Sequence, residues 1–437
     1  MIQNDSRKVK PGDIFVAIKG IVNDGHDYID EAIKNGASKI ISQRGKNKVK
    51  DTKKYLSNYL KKHYYHQIKH LKLIGITGTN GKTTTAFLIY QALNKLDIKC
   101  AYIGTLGFYI NDTHKKLSNT TPDILELYKL LMKAKDCKYV VLEVSSQGLA
   151  YGRVDTLLFD YAIFTNLTQD HLDYHKTMEN YCLAKQKLFK QLKKNGLGIV
   201  NIDDEYSTYF KTNNTITYGV NSKDYKIGKY NIDKKGTTFI LNDKEYYSKL
   251  IGKHNIYNLT IVIIILEKLG IDNNQIRSII KQLNHVDGRM DTINYQDNLI
   301  IIDYAHTPDA LKKIINSVKD FGNNIITIIG CGGNRDKEKR PIMGKIAVKY
   351  SDYVIFTSDN PRLEDPSRIL SDITSKLDTK NYEIEENRQK SIEKGIQRLE
   401  KNDILLILGK GCEDYQIIGT QKYHFNDKEE VLKIIGR

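Results

Sequence analysis

Gly78-Thr79-Asn80-Gly81-Lys82-Thr83, followed by Thr84 and Thr85, is the stretch of this 437-residue chain whose residue types and spacing prescribe phosphate chemistry. The glycines let the backbone turn tightly, so that successive N–H groups face an anion, while Lys82 reaches the outer phosphates and the Thr83 hydroxyl serves a Mg²⁺ ion beside them. The general P-loop pattern wants a glycine where Ile76 stands, so the match is to a shorter form of the loop. Such a cradle works between a strand and a helix, and both can be read. Leu71 to Ile76 is a continuous apolar run, and Ala86, Leu88, Ile89, Ala92, Leu93 and Leu96 form one face of a helix opening at Thr84. In other surroundings Gly-Lys-Thr is a solvated turn; in these, ATP is the expected guest.

Further candidates stand where apolar runs stop. Glu143 follows Val140-Val141-Leu142, which places a hard oxygen ligand suited to Mg²⁺, or a plain salt-bridging carboxylate, at a strand end. The run Tyr161 to Thr165 leads into Asn166 and then Asp170-His171, with His175 one helical turn further on. Lys185 falls on the apolar stripe Tyr181, Ala184, Leu188, Phe189, Leu192, where a lysine must snorkel, pair or be chemically altered. Asn255 and Asn258 open a helix, as caps or as partners of a purine edge. Four later apolar runs, Leu299 to Ile302, Ile325 to Ile329, Tyr353 to Phe356 and Ile404 to Leu408, each end in polar residues: Asp303 and His306; Arg335; Asp359-Asn360-Pro361-Arg362; Gly409 and Glu413.

The elements that position these residues divide into three α/β domains, as a prior of about 100–200 residues per domain allows. Residues 1–70 form a small N-terminal α/β unit. Residues 71–286 form a central P-loop domain with a mostly parallel sheet, carrying an antiparallel patch from Gly196 to Gly252. Residues 287–437 form a Rossmann-like domain, a second doubly wound sheet with one functional edge. Its glycines do not match the dinucleotide fingerprint.

Composition narrows the classes. Lys and Arg number 68 against 52 Asp and Glu, a formal net charge of +16. Polyanions suit such a balance, but the lysines are scattered and no arginine-rich arm or stacking platform accompanies them, so no nucleic-acid partner is expected. Five cysteines, none in a Cys-x-x-Cys pair, argue against a disulfide framework or a zinc site. The longest apolar run, Ile261 to Leu266, is far short of the ~20 residues of a membrane span, and no signal-peptide core opens the chain. A cytoplasmic monomer is expected.

Taken in order, Asp5-Ser6-Arg7, Gly-Thr-Asn-Gly-Lys-Thr, Asn119-Thr120-Thr121-Pro122, Glu-Val-Ser-Ser, Thr-Asn-Leu, Asp-His-Leu-Asp and the four strand ends resemble the ATP-dependent Mur ligases of peptidoglycan synthesis, and among them the MurE type. The resemblance covers nearly the whole chain. It implies that ATP phosphorylates the D-glutamate side-chain carboxylate of UDP-N-acetylmuramoyl-L-alanyl-D-glutamate, and that an amino acid's amine then attacks the acyl phosphate. It implies nucleotide binding by Gly78, Thr79, Asn80, Gly81, Lys82, Thr83, Thr84, Asn255 and Asn258, with Arg289 and Asp303 arriving on domain closure. Ser6, Asn119, Thr120, Thr121, Ser145, Tyr151 and Arg153 fall at the UDP-muramoyl-peptide. Thr83 and Glu143 serve one Mg²⁺, and His171 and Lys185, carbamylated by CO₂, serve a second. Arg335, Asp359, Asn360, Pro361, Arg362, Gly409 and Glu413 read the incoming amino acid. Asp-Asn-Pro-Arg resembles the diaminopimelate-adding form, because a guanidinium holds the far carboxylate that lysine lacks; lysine and a thioether diamino diacid are the alternatives. A folate polyglutamate ligase shares the nucleotide core, and a nucleotide-binding scaffold without ligation is the reading from another class. Cys412 and Tyr151 depart from the family pattern, which has histidine at the first and, in some relatives, glutamine at the second.

Overall fold

The computed structural model describes residues 1–20, 23–45 and 48–437. Strands β1 (Ile2–Gln3), β2 (Ile14–Val16) and β3 (Lys39–Ile41) form a small parallel sheet. The helix Thr52–Ile68, capped by the Asp51 carboxylate on the Lys54 N–H, follows it. Its Leu56, Leu60 and Ile68 join the same core as Leu127 and Leu131 of the helix Ile124–Lys133, so this first unit is anchored on the next one.

The central sheet has eleven strands: β4 (Lys72–Thr77), β5 (Cys100–Gly104), β6 (Gly107–Ile110), β7 (Thr113–Lys115), β8 (Tyr139–Glu143), β9 (Phe159–Phe164), β10 (Leu192–Asn201), β11 (Thr215–Gly219), β12 (Tyr225–Asp233), β13 (Gly236–Leu241) and β14 (Lys244–Ser248). Their order is β14-β13-β12-β11-β10-β9-β4-β8-β5-β6-β7. Strands β4, β8 and β9 are apolar because helices cover both faces. Lys82–Lys95 and Lys253–Lys268 lie over one core, Ile124–Lys133 and Met178–Lys190 over the other. The register places Ile76 opposite Glu143 and Thr77 opposite Phe164, so these three strands end on one rim.

The antiparallel patch expected from Gly196 to Gly252 is smaller than that. β10 pairs in parallel with β9 and β11, and β11 with β12; the antiparallel pairs are β12–β13 and β13–β14. The crossover from β10 to β11 contains a single short turn, Ser207–Phe210, whose Phe210 stacks on Phe164. One turn is too brief for helical periodicity to show, so the segment reads like a hairpin connection. The hairpin β6–β7 was not foreseen, since β7 is the polar triplet Thr-His-Lys and gives no apolar run to pair with Phe108-Tyr109-Ile110.

The third sheet contains β15 (Asp291–Tyr295), β16 (Asn298–Asp303), β17 (Ile325–Ile329), β18 (Tyr353–Phe356), β19 (Tyr382–Ile384) and β20 (Ile404–Leu408), in the order β15-β16-β20-β17-β18-β19. All pairs but β15–β16 are parallel. Leu408 is level with Asp303 and with Ile329, and Ile329 with Phe356, so the four polar strand ends share one edge. A hairpin, β21 (Tyr415–Ile418) with β22 (Gln421–His424), stands beside it. No described helix is long and apolar enough to cross a membrane.

Candidate active site

Between β4 and the helix Lys82–Lys95 the chain turns through Gly78 at φ 145° and Gly81 at φ 85°. A Cβ at Gly78 would fall 1.9 Å from the Thr165 hydroxyl, and one at Gly81 2.8 Å from Asn258 Oδ1, so both positions admit glycine only. The end of β9 moulds the loop. Asn166 accepts from Thr79 N–H through its carbonyl (2.8 Å) and from Asn80 N–H through Oδ1 (2.9 Å), while the Thr165 hydroxyl donates to the Asn80 carbonyl (2.7 Å). Lys82 Nζ donates to the carbonyls of Gly78 (2.9 Å) and Thr79 (2.8 Å), coiled where an anion would draw it outward. Burial lowers its pKa, with Glu143 opposing.

Glu143, at the end of β8, is fully buried. One carboxylate oxygen accepts from the Tyr102 hydroxyl (2.5 Å) and the Thr105 N–H (2.8 Å), the other from the Thr83 hydroxyl (2.8 Å). A hydroxyl and a carboxylate side by side at a helix N-terminus are hard oxygen donors that fit Mg²⁺ and fit zinc poorly. Among the described residues, no group of three or more His, Cys, Asp or Glu side chains converges as a cation site. Of the four expected ligands, then, Thr83 and Glu143 meet directly, while His171 and Lys185 stand apart from them.

Lys185, on the helix Met178–Lys190, is buried at 1% exposure. It neither snorkels nor finds a carboxylate: its Nζ donates to the Gly78 carbonyl at 2.7 Å and lies 4.4 Å from the centre of the Tyr181 ring. Burial, and after it the Lys82 charge, hold the amine well below its ordinary pKa. His171 adopts a left-handed backbone (φ 54°) with Nε2 3.4 Å from Asp170 Oδ2, and the same oxygen lies 4.0 Å from His306 Nε2 on the third sheet. His175 is buried and bonds the Ser146 hydroxyl, a packing role.

Asn255 and Asn258 are spent inside the fold. Asn255 donates to the Ile251 carbonyl and accepts from Asn258, whose own Oδ1 accepts from Thr85. Thr121, Ser145 and Arg153 form one cluster: the Thr121 hydroxyl donates to the Glu143 carbonyl (2.9 Å) and accepts from Ser145 N–H, and Arg153 Nη1 donates to the Thr121 carbonyl (2.6 Å). Thr120 reaches the Thr105 hydroxyl at 3.1 Å, and Asn119 is exposed. The Tyr151 ring has Arg153 at 5.7 Å and Lys53 at 5.5 Å from its centre. Ser6 lies apart in the first unit, buried and donating to Glu31 Oε2 at 2.5 Å.

The third sheet closes over the cradle. Asn80 Nδ2 donates to Asp309 Oδ2 at 3.4 Å, and Lys116 pairs with Asp414 across the gap. Arg289 stacks on Tyr304, 4.4 Å from the ring centre, and both Asp303 oxygens accept backbone N–H groups, of Met290 and Ala305, at 2.8 Å. Cys412 abuts Gly288, whose Cβ would fall 2.0 Å from the Cys412 nitrogen.

On the far side of the same edge, two groups of charge face one another. Asn360 Nδ2 donates to Glu413 Oε2 (2.8 Å), and burial, with Asp359 next, raises the Glu413 carboxyl. Arg362, also left-handed (φ 55°), donates through Nη1 to the Gly333 carbonyl at 2.8 Å. Its pKa is lowered by burial and then by Arg335. Among the described residues neither Arg335 nor Arg362 has an ion-pair partner, so Arg362 is not held by a structural salt bridge. Sequence reading did not single out Tyr102, Thr105 or Lys410. The Lys410 Nζ is buried and donates to the Tyr415 carbonyl (2.6 Å) beside Glu413. Its Gly-Lys-Gly setting was the available signal; Tyr102 and Thr105 carry none.

Comparison with known proteins agrees with this geometry. Residues 1–76, 76–266 and 288–411 match three models, described as the Mur ligase family catalytic domain, the Mur ligase middle domain and the Mur ligase glutamate ligase domain. A Fusobacterium nucleatum protein named UDP-N-acetylmuramoyl-L-alanyl-D-glutamate--2,6-diaminopimelate ligase is 44% identical, across 100% of this chain and 94% of its own length. A protein of the same name from Oceanobacillus iheyensis is 40% identical, across 98% and 92%. A solved structure of a ligase with that name superposes with a TM-score of 0.68 at 32% identity, covering 100% of this chain and 94% of that one. The MurF ligase of Thermotoga maritima in complex with ADP, 20% identical with a TM-score of 0.69 over 99% and 96% of the two chains, shares the fold. With its three domain matches in order and relatives of this identity over its full length, the chain belongs to the Mur ligase family.

Proposed function

We propose that this ligase uses ATP to join meso-diaminopimelate to the D-glutamate side-chain carboxylate of UDP-N-acetylmuramoyl-L-alanyl-D-glutamate, acting as a cytoplasmic monomer. The observation that carries the choice of amino acid is the placement of two guanidiniums without ion-pair partners, Arg335 and Arg362, near the carboxylates Asp359 and Glu413 on one edge. A diamino diacid offers a carboxylate to the first pair and an ammonium to the second. Lysine would leave Arg362 desolvated and unpaired, at a cost of several kcal/mol in order of magnitude.

The chain's own groups then divide the work. The loop Gly78–Thr83 receives the ATP phosphates, and Lys82 swings from the Gly78 and Thr79 carbonyls onto their outer oxygens. Thr83 and Glu143 would hold Mg²⁺, an ion that would supply positive charge between the γ-phosphate and the attacking carboxylate. His171 and a carbamylated Lys185 would hold a second ion. Thr120, Thr121, Ser145, Tyr151 and Arg153 orient the muramoyl-peptide, Ser6 and Asn119 its flanks, and Asn255 and Asn258 brace the loop below the purine. Arg289, with Asp303 behind it, comes from the third sheet, so the site is complete in the closed arrangement.

The test offers the purified enzyme ATP, Mg²⁺ and UDP-muramoyl-dipeptide with diaminopimelate, its thioether analogue or lysine in turn, following phosphate release and product mass. Phosphate release independent of dipeptide and amino acid would defeat the ligase reading. Preference for lysine or for the thioether would defeat the choice of amino acid alone.

A further inference from the structure

Arg340 is, with Arg388, among the largest fully buried side chains of the described residues, and it has no part in the chemistry proposed above. It lies on the helix Lys339–Tyr350 and reaches three separate segments. Nη1 donates to Glu364 (3.0 Å) and Asp372 (2.8 Å), and Nη2 to the other Glu364 oxygen (3.1 Å) and, at 3.4 Å, to the Gly332 carbonyl. Its Nε has no partner. A buried guanidinium with an unsatisfied donor is a poor way to stabilise a helix face that an apolar side chain would fill. What it secures is geometry.

Glu364 is where that geometry converges. Besides Arg340 it accepts the Asn334 N–H, and the Asn334 side chain in turn accepts the Leu363 N–H at 3.1 Å. Gly333 N–H donates to the Asn360 carbonyl at 2.9 Å, closing the two loops on each other. Asn334 directly precedes Arg335, and Glu364 stands two residues after Arg362. One carboxylate therefore fixes both guanidinium-bearing segments. There is no slack: a Cβ at Gly333 would fall 1.9 Å from the Pro361 carbonyl oxygen, and one at Gly332 2.8 Å from Arg362 Nη1. Asn334 and Arg362 both hold positive φ, a conformation that neighbouring bonds must enforce. The like charges of Arg335 and Arg362 repel, and these bonds hold the two segments against that repulsion.

We infer that Arg340 and Glu364 are positioning residues for amino-acid selection: their buried ion pair holds Arg335 and Arg362 together, aimed at one carboxylate, before the amino acid arrives. The gain is preorganisation, since a pair already assembled loses less freedom on binding. Arg340 holds the Glu364 carboxyl down at about 2, so the clamp stays ionised throughout any assay range.

The inference rests on the diaminopimelate reading, and steady-state kinetics of Glu364→Gln and Arg340→Lys test it. Glu364→Gln keeps the shape and removes the charge; Arg340→Lys keeps the charge and removes the fork. Expected for Glu364→Gln is a KM for diaminopimelate raised tenfold or more, KM values for ATP and UDP-muramoyl-dipeptide within twofold, kcat within threefold and weaker discrimination against lysine. Arg340→Lys should fall between it and the parent. An unchanged diaminopimelate KM, or a parallel loss of kcat for all substrates with a lowered melting temperature, would reduce the pair to a structural role and overturn the inference. A parent enzyme that ignores diaminopimelate would defeat the substrate reading, and the inference with it, before any variant is made.

Discussion

Replacing Lys185 by alanine probes the reaction centre most directly. Lys185 and Lys82 both donate to the Gly78 carbonyl, at 2.7 Å and 2.9 Å. Their nitrogens are thus no more than about 5.6 Å apart, where two unit positive charges repel by roughly 3 kcal/mol at an effective dielectric constant of about 20. Burial and this repulsion hold the Lys185 amine well below its ordinary range, which favours the neutral amine that CO₂ uptake requires. The carbamate proposed above would make the side chain an anion, and a comparable separation would then give attraction of about the same size. Lys185→Ala would then remove that anion, and roughly 3 kcal/mol corresponds to about a hundredfold in rate. Formate or acetate, entering the vacated space beside Tyr181, should restore part of the lost phosphate release, and ¹³C-bicarbonate should give the parent enzyme a carbamate resonance that the variant lacks. Because the amine must be neutral to react, activity should fall as pH drops and recover with added bicarbonate. Near-parental activity in Lys185→Ala, or a loss that no carboxylate rescues while melting temperature and nucleotide binding stay unchanged, would refute the reasoning.

Arg362→Ala should lower kcat/KM for diaminopimelate about a hundredfold, the loss of two charge-assisted hydrogen bonds at ~1.5 kcal/mol each, and leave the KM for ATP within about threefold; equal effects on both would mark a structural role. Glu143→Gln should keep the fold within about 1 kcal/mol, since the amide still accepts from Tyr102 and Thr105. Its Mg²⁺-dependent phosphate release should fall roughly a thousandfold, and thermal melts should lose the stabilisation by Mg²⁺ and ATP. Arg388→Met strands the fully buried Asp427 and should cost about 3–5 kcal/mol in urea unfolding, most of it recovered by adding Asp427→Leu.

The polar strand ends were legible because each follows an apolar run long enough to name its strand, as Ile325–Ile329 and Tyr353–Phe356 do residue for residue. Lys185 was legible as an anomaly, a cation on an apolar stripe, and the structure gives it a carbonyl partner. What stayed hidden depends on contacts far apart in sequence. Nothing local tells that Asp170 meets His306, or that Arg340 shares Glu364 with the Asn334 backbone. Tyr102 and Thr105 look like ordinary strand and turn residues until the Glu143 carboxylate is placed between them. The parallel pairing of β10 with β11 likewise follows a crossover too short to advertise itself, in which Phe210 stacks on Phe164.

The moulding of the phosphate loop by the end of β9 bears on the energetics of nucleotide exchange. Thr79 and Asn80 spend their amides on Asn166. Hydrogen exchange there should be slow in the empty enzyme and change little when ATP enters, whereas the amides at the start of the following helix should respond. A loop braced by its neighbouring strand can release product without unfolding, and turnover should then be sensitive to the contacts that join the third sheet to the cradle, Asn80 with Asp309 and Lys116 with Asp414.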